Sequence, residues 1–275
     1  MAIRIGGGDS PFDFFDRFNK DTEKSLAKLA SGKRITSAAE DAAGLGISEQ
    51  LKKEFASLGQ ARNNVDYGAA EAQIAEGAMG QQSEIMSRMQ ELAVQASNGT
   101  LSATDRQFID KEASALASEM NRIANTTEFN GSKVLSTDSG NVTIQSGTKN
   151  GQTMNVTYAN TTNASLGVSY GAGQAVDFST AATAQASLAN IQAGMATLSS
   201  SRAQVGADTN ALEVQGRTLA VQRENTEAAR SRIADTDYAA ETANLAQSQI
   251  LSQANLAIHA HRNLMSQSAL DLLKG

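Results

Sequence analysis

The stretch that decides the fold is residues 188–233, which read LANIQAGMATLSSSRAQVGADTNALEVQGRTLAVQRENTEAARSRI. A series with one member every seven positions runs through it and is apolar except for one threonine: Ile191, Leu198, Val205, Leu212, Leu219, Thr226 and Ile233. In a second series, which begins with Leu188 and Met195, each member lies three residues before a member of the first. The spacing between successive members of the two series therefore alternates between three and four residues. Because an apolar stripe is stabilised only when another surface covers it, the pattern predicts a long helix packed against other helices.

After Met195 this second series turns polar or small, and its members are Arg202, Thr209, Gly216, Arg223 and Arg230. A two-stranded coiled coil with an apolar core would not place three arginines along one edge of its seam. We interpret the arginines as groups that set the register by facing carboxylates on another helix or on a neighbouring subunit. The alternative is a solvated edge of a long helix, and the sequence leaves both possibilities open.

Another heptad series predicts a long helix from about residue 42 to residue 97. Its members are Leu51, Leu58, Val65, Ala72, Met79, Met86 and Ala93. From its rise per residue the helix would be roughly 80 Å long, and we interpret its Met and Leu stripe as core. Asn98 and Gly99 should end it, since either can adopt the left-handed cap conformation. The carboxylates along it, among them Glu71 and Glu84, are expected on a solvated face.

A third helix is predicted after residue 101. Ser102 and Asp105 have the spacing of a variant capping box, and Leu101 just before them can act as a hydrophobic staple. The apolar residues that follow alternate by four and three: Ile109, Ala113, Leu116, Met120 and Ile123. Together with the two longer helices, this segment predicts an antiparallel bundle of at least three helices.

The periodicity changes to two in an insert of about residues 127–180. Apolar and polar residues alternate on both sides of a loop that contains Asn150 and Gly151, with Val142 and Ile144 before it and Met154, Val156 and Tyr158 after it. Alternation of this kind around an Asn-Gly turn is typical of a β-hairpin. We therefore predict a small β-hairpin insert in a mainly α-helical protein.

Both ends of the chain carry apolar stripes for which the sequence offers no large intrachain core. Residues 1–11 contain three glycines and a proline and are expected to be irregular. The apolar residues that follow are Phe12, Phe15, Phe18, Leu26 and Leu29, and those of the last helix are Ile250, Leu251, Ile258, Leu264 and Met265. We predict that these two sets pack into an inner core when copies of the chain assemble.

Composition excludes several classes of function. The 275 residues include no Cys and two His, and the net charge is −6. No disulfide or cysteine-bound metal is possible, and the acidic balance does not favour nucleic acid. No apolar run is long enough to span a membrane, and residues 1–20 lack the pattern of a secretory signal. His259 and His261 are poorly spaced on a helix to share a metal. We find no candidate catalytic, metal or cofactor residue, and predict a protein that is not an enzyme.

Several strings along both helical arms resemble bacterial flagellin, in the order in which that family has them. They are SGKRI (31–35), DAAGL (41–45), QIAEGA (73–78), ELAVQASNGT (91–100), SRAQVGA (201–207), SRIADTD (231–237) and QILSQA (249–254). Because seven independent strings occur in one order, the resemblance is specific, and it covers essentially the whole helical portion of the chain.

The resemblance implies a structural subunit that polymerises into the extracellular filament of the bacterial flagellum. It implies an inner domain of paired terminal helices, residues 1–40 plus 236–275, and an outer helical bundle of residues 41–235. The expected partners are copies of the chain, a flagellar secretion chaperone, the cap protein and junction proteins, with no nucleic acid and no membrane insertion. The alternatives are a hook–filament junction protein and a cytoplasmic signalling coiled coil of chemoreceptor type.

The resemblance also implies recognition by the innate immune receptor for flagellin. The family's receptor-binding helix carries an arginine followed four residues later by a leucine, and Arg88 and Leu92 match this pattern. One helical turn apart, the two residues can present a guanidinium and an apolar anchor on one face. We expect the same surface to be a lateral interface between subunits.

Overall fold

The computed structural model describes residues 11–137, 139–171 and 173–274. Its elements are α1 (Pro11–Ser31), α2 (Ala42–Ala96), α3 (Ala103–Thr126), β1 (Glu128–Phe129), β2 (Ser132–Lys133), β3 (Asn141–Gln145), β4 (Thr153–Thr157), α4 (Ala181–Ala234) and α5 (Tyr238–Lys274). This order of long helices around a small β insert confirms the predicted fold class. Residues 1–11 were expected to be irregular, and residues 1–10 lie outside the described part of the chain. Pro11 already belongs to α1, where proline suits the first helical position because it has no N–H to leave unpaired.

The chain divides into two compact units. The first combines the chain up to residue 55 with the chain from residue 224 onward, and the second is residues 56–223. Both boundaries fall inside long helices, α2 and α4, whereas we placed the boundaries at the connectors that precede and follow those helices. A boundary inside a continuous helix leaves no turn or composition signal in a sequence. The division into an inner and an outer domain stays a prediction.

The core of the second unit is the pair of heptad seams on α2 and α4. Leu58, Val65, Met79 and Met86 on α2 are buried, as are the α4 residues of the first heptad series from Ile191 to Leu219, which are Ile191, Leu198, Val205, Leu212 and Leu219. The helices run antiparallel, since Gly68 lies beside Leu212 while Gly194 lies beside Met86. These contacts confirm that the heptad series are helix core. Thr226 and Ile233, at the end of the α4 series, are only half-buried.

Two glycines allow other segments to lie directly on the long helices. A Cβ on Gly68 of α2 would stand 2.0 Å from Cδ1 of Ile144, which belongs to β3. A Cβ on Gly194 of α4 would stand 2.9 Å from the carbonyl oxygen of Leu166. Real Cβ contacts are not that short, so a side chain at either position requires a shift: at Gly68 the Ile144 side chain would have to move, whereas at Gly194 the backbone of Leu166 would have to move.

The predicted capping box of α3 is confirmed, and α2 ends within one residue of the predicted position, but the left-handed cap predicted for its end is wrong. The Oγ of Ser102 accepts from the Asp105 N–H at 3.1 Å, and Asp105 accepts from the Ser102 N–H at 3.0 Å. α2 ends at Ala96, and neither Asn98 nor the following glycine has the positive φ of a left-handed cap. Arg106 donates instead to the carbonyls of Ala96 and Asn98, at 3.1 and 3.0 Å. A cation there satisfies carbonyls that the helix leaves free.

The insert contains the predicted hairpin and a second, shorter one. β3 and β4 pair antiparallel, with Ile144 opposite Met154 and Gly151 in the loop at φ 81°. β1 and β2 also pair antiparallel, around Asn130 and Gly131 at φ 50° and 80°. Consecutive positive φ values are those of a type I′ turn, which an Asn-Gly pair adopts readily.

In the first unit α1 packs against α5, which confirms the predicted pairing of the terminal helices. The connectors next to these helices also meet. The N–H of Arg34 donates to the Ala234 carbonyl at 2.7 Å, and the N–H of Thr236 donates to the Gly32 carbonyl at 3.0 Å. Asp237 caps α5 by accepting from the Ala239 N–H at 2.9 Å, as its helix-start composition indicates.

Candidate assembly surfaces

The most exposed apolar surface of the first unit lies on α5. The predicted inner-core residues of this helix are between 39% and 65% exposed in the single chain, and Leu256, which we did not predict, is 53% exposed: Ile250, Leu251, Leu256, Ile258, Leu264 and Met265. Covering a side chain of this size contributes roughly 1.5–3 kcal/mol. α5 therefore offers a stripe whose burial would favour association.

The described members of the corresponding set on α1 are covered more completely. Leu26 is exposed, while Phe18 and Leu29 are half-buried. The side chains of Phe12 and Phe15 lie outside the part of the chain whose surface the structure describes. α1 thus contributes less exposed apolar surface than α5 among the described residues.

Two of the three seam arginines lie over glycines of the facing helix. Arg202 comes within 4.0 Å of the point where a Cβ on Gly80 would stand, and Arg223 comes within 3.9 Å of the same point on Gly59. The missing side chains of α2 make room for the two guanidinium groups. The Nε of Arg202 is buried and has no hydrogen-bond partner among the described residues.

The third seam arginine, Arg230, makes its ion pair within its own helix. It donates to both oxygens of Glu227, three residues earlier, at 2.6 and 2.9 Å. Glu227 raises the pKa of Arg230, while Asp235 and Glu49 add smaller contributions of the same sign. Of these groups only Glu49 lies on α2, so the carboxylate of that helix is not the principal partner of Arg230.

The expectation that Arg88 and Leu92 share an exposed face is wrong for the single chain. Leu92 is 1% exposed and belongs to the core, because α2 is covered by both α3 and α4 at this level. Arg88 is on the surface and donates to Glu112 of α3 at 2.8 and 2.9 Å and to Glu91 at 2.8 Å. Hydrogen bonds to Glu112 and then to Glu91 raise the pKa of Arg88.

Two buried polar residues of α2 were not anticipated. Gln82 is fully buried at a position where the heptad pattern expects a small or apolar residue, and it donates to the carbonyls of Met120 and Thr161 at 3.2 and 3.3 Å. Glu71, expected on a solvated face, is only 8% exposed. A single-helix pattern does not reveal which faces a later segment will cover.

Neither a metal centre nor a membrane span emerges from the described part of the chain. No three of its His, Asp and Glu side chains come together as metal ligands would. No helix in this part of the chain combines the length and the apolar character needed to cross a membrane.

The long paired helices, the exposed stripe on α5 and the small β insert define a coiled-coil structural protein. Two family models match it, the bacterial flagellin N-terminal helical region over residues 15–139 and the C-terminal helical region over residues 188–273. A flagellar filament core protein of Brachyspira hyodysenteriae is 35% identical over 93% of each chain, and a flagellin of Halalkalibacterium halodurans is 36% identical over 92% of each. The chain therefore belongs to the bacterial flagellins. As a flagellin it is a structural subunit of the extracellular flagellar filament.

Solved structures support the fold. The crystal structure of Bacillus cereus flagellin is 29% identical, with a TM-score of 0.51, and the match covers 57% of this chain and 88% of that one. A putative flagellar hook-associated protein from Vibrio parahaemolyticus matches with a TM-score of 0.61 over 71% of this chain and 100% of that one, but is only 15% identical. The second likeness concerns the fold alone, so the junction-protein alternative is not favoured. The chemoreceptor-type alternative has no support among these relatives.

Proposed function

We propose that this flagellin enters the filament through its two ends, with α1 and α5 forming an inner layer and the helical bundle packing around it. The exposed stripe on α5 carries the proposal. Ile250, Ile258 and Leu264 are each more than 60% exposed, although the helix that bears them already packs against α1. Neighbouring subunits can cover these side chains, and a single chain leaves them in water.

The proposed role involves no catalysis, in keeping with the structural character of the family. The partners that we propose beyond further copies of the chain are a secretion chaperone, the filament cap and the junction proteins. Each would have to recognise an end of the chain, where the apolar stripes lie, before or while those stripes are buried.

We also propose recognition by the innate immune receptor, but through a different surface from the one that the sequence predicted. The burial of Leu92 leaves the ion-pair network around Arg88 as the exposed part of the predicted site, with Glu91 and Glu112 as its partners. Leu92→Ala would open a cavity in the core, so a loss of receptor activation would not identify a contact. Arg88→Ala is the sharper variant, because it removes surface charge and leaves the core intact.

Electron microscopy of the purified full-length chain tests the filament proposal. Wild-type protein should form long uniform filaments at high concentration. A variant with Ile250→Asn and Ile258→Asn should remain in solution, because two apolar contacts are replaced by polar groups that the inner layer cannot solvate. Gln253→Asn, which introduces the same residue on the same helix, should still polymerise. Filaments formed equally well by the double variant would refute the proposed role of α5.

A further inference from the structure

A polar groove lies between α3 and the segment that connects β4 to α4, and we call it the α3 groove. Its volume is about 420 Å³, which falls in the range of roughly 300–1,000 Å³ that is usual for small-molecule sites. Residues 162–164 and 169–170 form one wall. The other wall is a face of α3 on which short polar residues recur at spacings of four, three and four, namely Ser114, Ser118, Asn121 and Asn125.

None of the described residues that line the α3 groove is charged. Besides the four on α3, they are Ala117, Thr162, Asn163, Ala164, Ser169 and Tyr170. Side-chain hydroxyl and amide groups both donate and accept hydrogen bonds, and the hydroxyl groups of a ligand do the same. An anion would find no cationic side chain in this lining, and a metal ion would find no carboxylate. The lining therefore fits a neutral ligand that carries several hydroxyl groups.

A buried amide in the α3 groove lacks one hydrogen bond. Asn163 is 7% exposed, its Nδ2 donates to the Ala117 carbonyl at 2.8 Å, and its backbone N–H donates to Oδ1 of Asn121 at 3.2 Å. The Oδ1 of Asn163 is buried and has no hydrogen-bond partner among the described residues. An unpaired buried acceptor is costly, so a ligand that brings a donor to Asn163 would be favoured.

The aromatic side chain in the lining is held in one position. The hydroxyl of Tyr170 is hydrogen-bonded to Asp110, both at the carboxylate and at the backbone carbonyl. The ring of Tyr170 packs edge-on against Phe178, with the two centroids 6.0 Å apart. Because its hydroxyl is already engaged, Tyr170 offers the groove an apolar ring beside the hydroxyl and amide groups.

We propose that the α3 groove binds a neutral sugar. Ser118, Asn121 and Asn125 form hydrogen bonds with its hydroxyl groups, and Tyr170 packs against its ring. This role goes beyond filament formation, because it gives the helical bundle a ligand of its own. A peptide strand is a poorer occupant, since the backbone groups of α3 are paired within the helix and offer no edge to which a strand can be added.

Saturation-transfer NMR on the full-length protein tests the proposal. The probes are the methyl glycosides of glucose, galactose, mannose and N-acetylglucosamine, and the uronic acids of the first three sugars are the charged comparisons. We expect saturation transfer to at least one neutral glycoside. The corresponding uronic acid should bind at least about tenfold more weakly, because the lining offers its carboxylate no cation.

Ser118→Tyr should weaken sugar binding at least about tenfold, because the added ring fills the groove, and it should leave Tm unchanged, because Ser118 is exposed. Ser87→Tyr is the matched control. Ser87 is also exposed and also donates to the carbonyl four residues earlier, but it lies on α2 outside the groove. Asn125→Ala, which adds no bulk, should also weaken binding.

Three results would overturn the proposal. The first is that none of the four glycosides binds the wild type. The second is that Ser118→Tyr and Asn125→Ala, both folded, bind the sugars as tightly as Ser87→Tyr does. The third is that no sugar binds while Ser118→Tyr fails to polymerise, which would show that a neighbouring chain occupies the groove. Polymerisation of the wild type measures the proposed function separately.

Discussion

The guanidinium of Arg202 lies across Gly80 of the facing helix, with Nη2 4.0 Å from the point where a Cβ on that glycine would stand. Arg223 crosses Gly59 in the same way, three heptads along the same antiparallel seam. An arginine on one helix therefore meets a glycine on the other at both places. This pairing explains how a seam accommodates long charged side chains without spreading its helices.

Substitutions at Gly80 should depend on size. Gly80→Ala should raise the free energy of unfolding by up to about 1 kcal/mol, because the added methyl fits beside Arg202 and alanine favours the helix. Gly80→Leu should lower it, because the larger side chain must displace the guanidinium. Urea denaturation of the two variants measures both effects. Equal destabilisation by Ala and Leu would contradict the packing described.

Arg202→Met should leave the monomer within about 1 kcal/mol of wild type, because it removes a buried and unsatisfied Nε and keeps the length of the side chain. Arg230→Met should cost about as little, since the pair with Glu227 is partly exposed. If the arginines set register against carboxylates of a neighbouring subunit, the same variants will impair polymerisation and swimming. Unchanged polymerisation and motility in both variants would show that these arginines do not set the register of assembly.

Gly68→Ala should destabilise the bundle by about 1–3 kcal/mol, because the new methyl would overlap Cδ1 of the buried Ile144 side chain and force that side chain out of its packed position. Gly77→Ala is its control on the same helix, where nothing lies within 4 Å of the added carbon. Gly77→Ala should stabilise the protein slightly, because alanine has a higher helix propensity than glycine. Thermal melting compares the two, and loss of stability in both would point to a backbone effect instead of a clash.

The pKa of Tyr158 predicts a loss of stability at alkaline pH. Burial raises it above the ordinary value of 10.0, so the folded state holds the phenol proton more tightly than the unfolded state does. The resulting stability is complete below pH 10.0 and is lost as the pH rises beyond that value. Tyr158→Phe should weaken this alkaline dependence in denaturation measured between neutral pH and pH 11. An identical slope in the variant would exclude Tyr158 as its source.

Much of the fold could be read from the sequence, because burial of one helix face imposes a periodic pattern. The seams around Leu198 and Met79, the capping box at Ser102 and the hairpin at Ile144 all have such local signals. The burial of Leu92 and Glu71 has none, since it depends on where later segments of the chain come to lie. No local signal indicates that Arg106 of α3 donates to carbonyls at the end of α2. Nor does one indicate that Arg223 and Arg202 lie over Gly59 and Gly80.

The terminal helices should gain most of their stability from assembly. Ordering a residue costs about 1–2 kcal/mol of backbone entropy, and the exposed stripe on α5 shows how little apolar burial a single chain provides in return. Hydrogen exchange followed by mass spectrometry, on dilute monomer and on filaments of the same protein, tests the claim most directly. We expect amides of residues 250–265 to exchange almost at once in the monomer and to be protected in the filament, while residues 58–93 and 191–219 are protected in both. Strong protection of residues 250–265 in the dilute monomer would show that the terminal helices are stable without assembly.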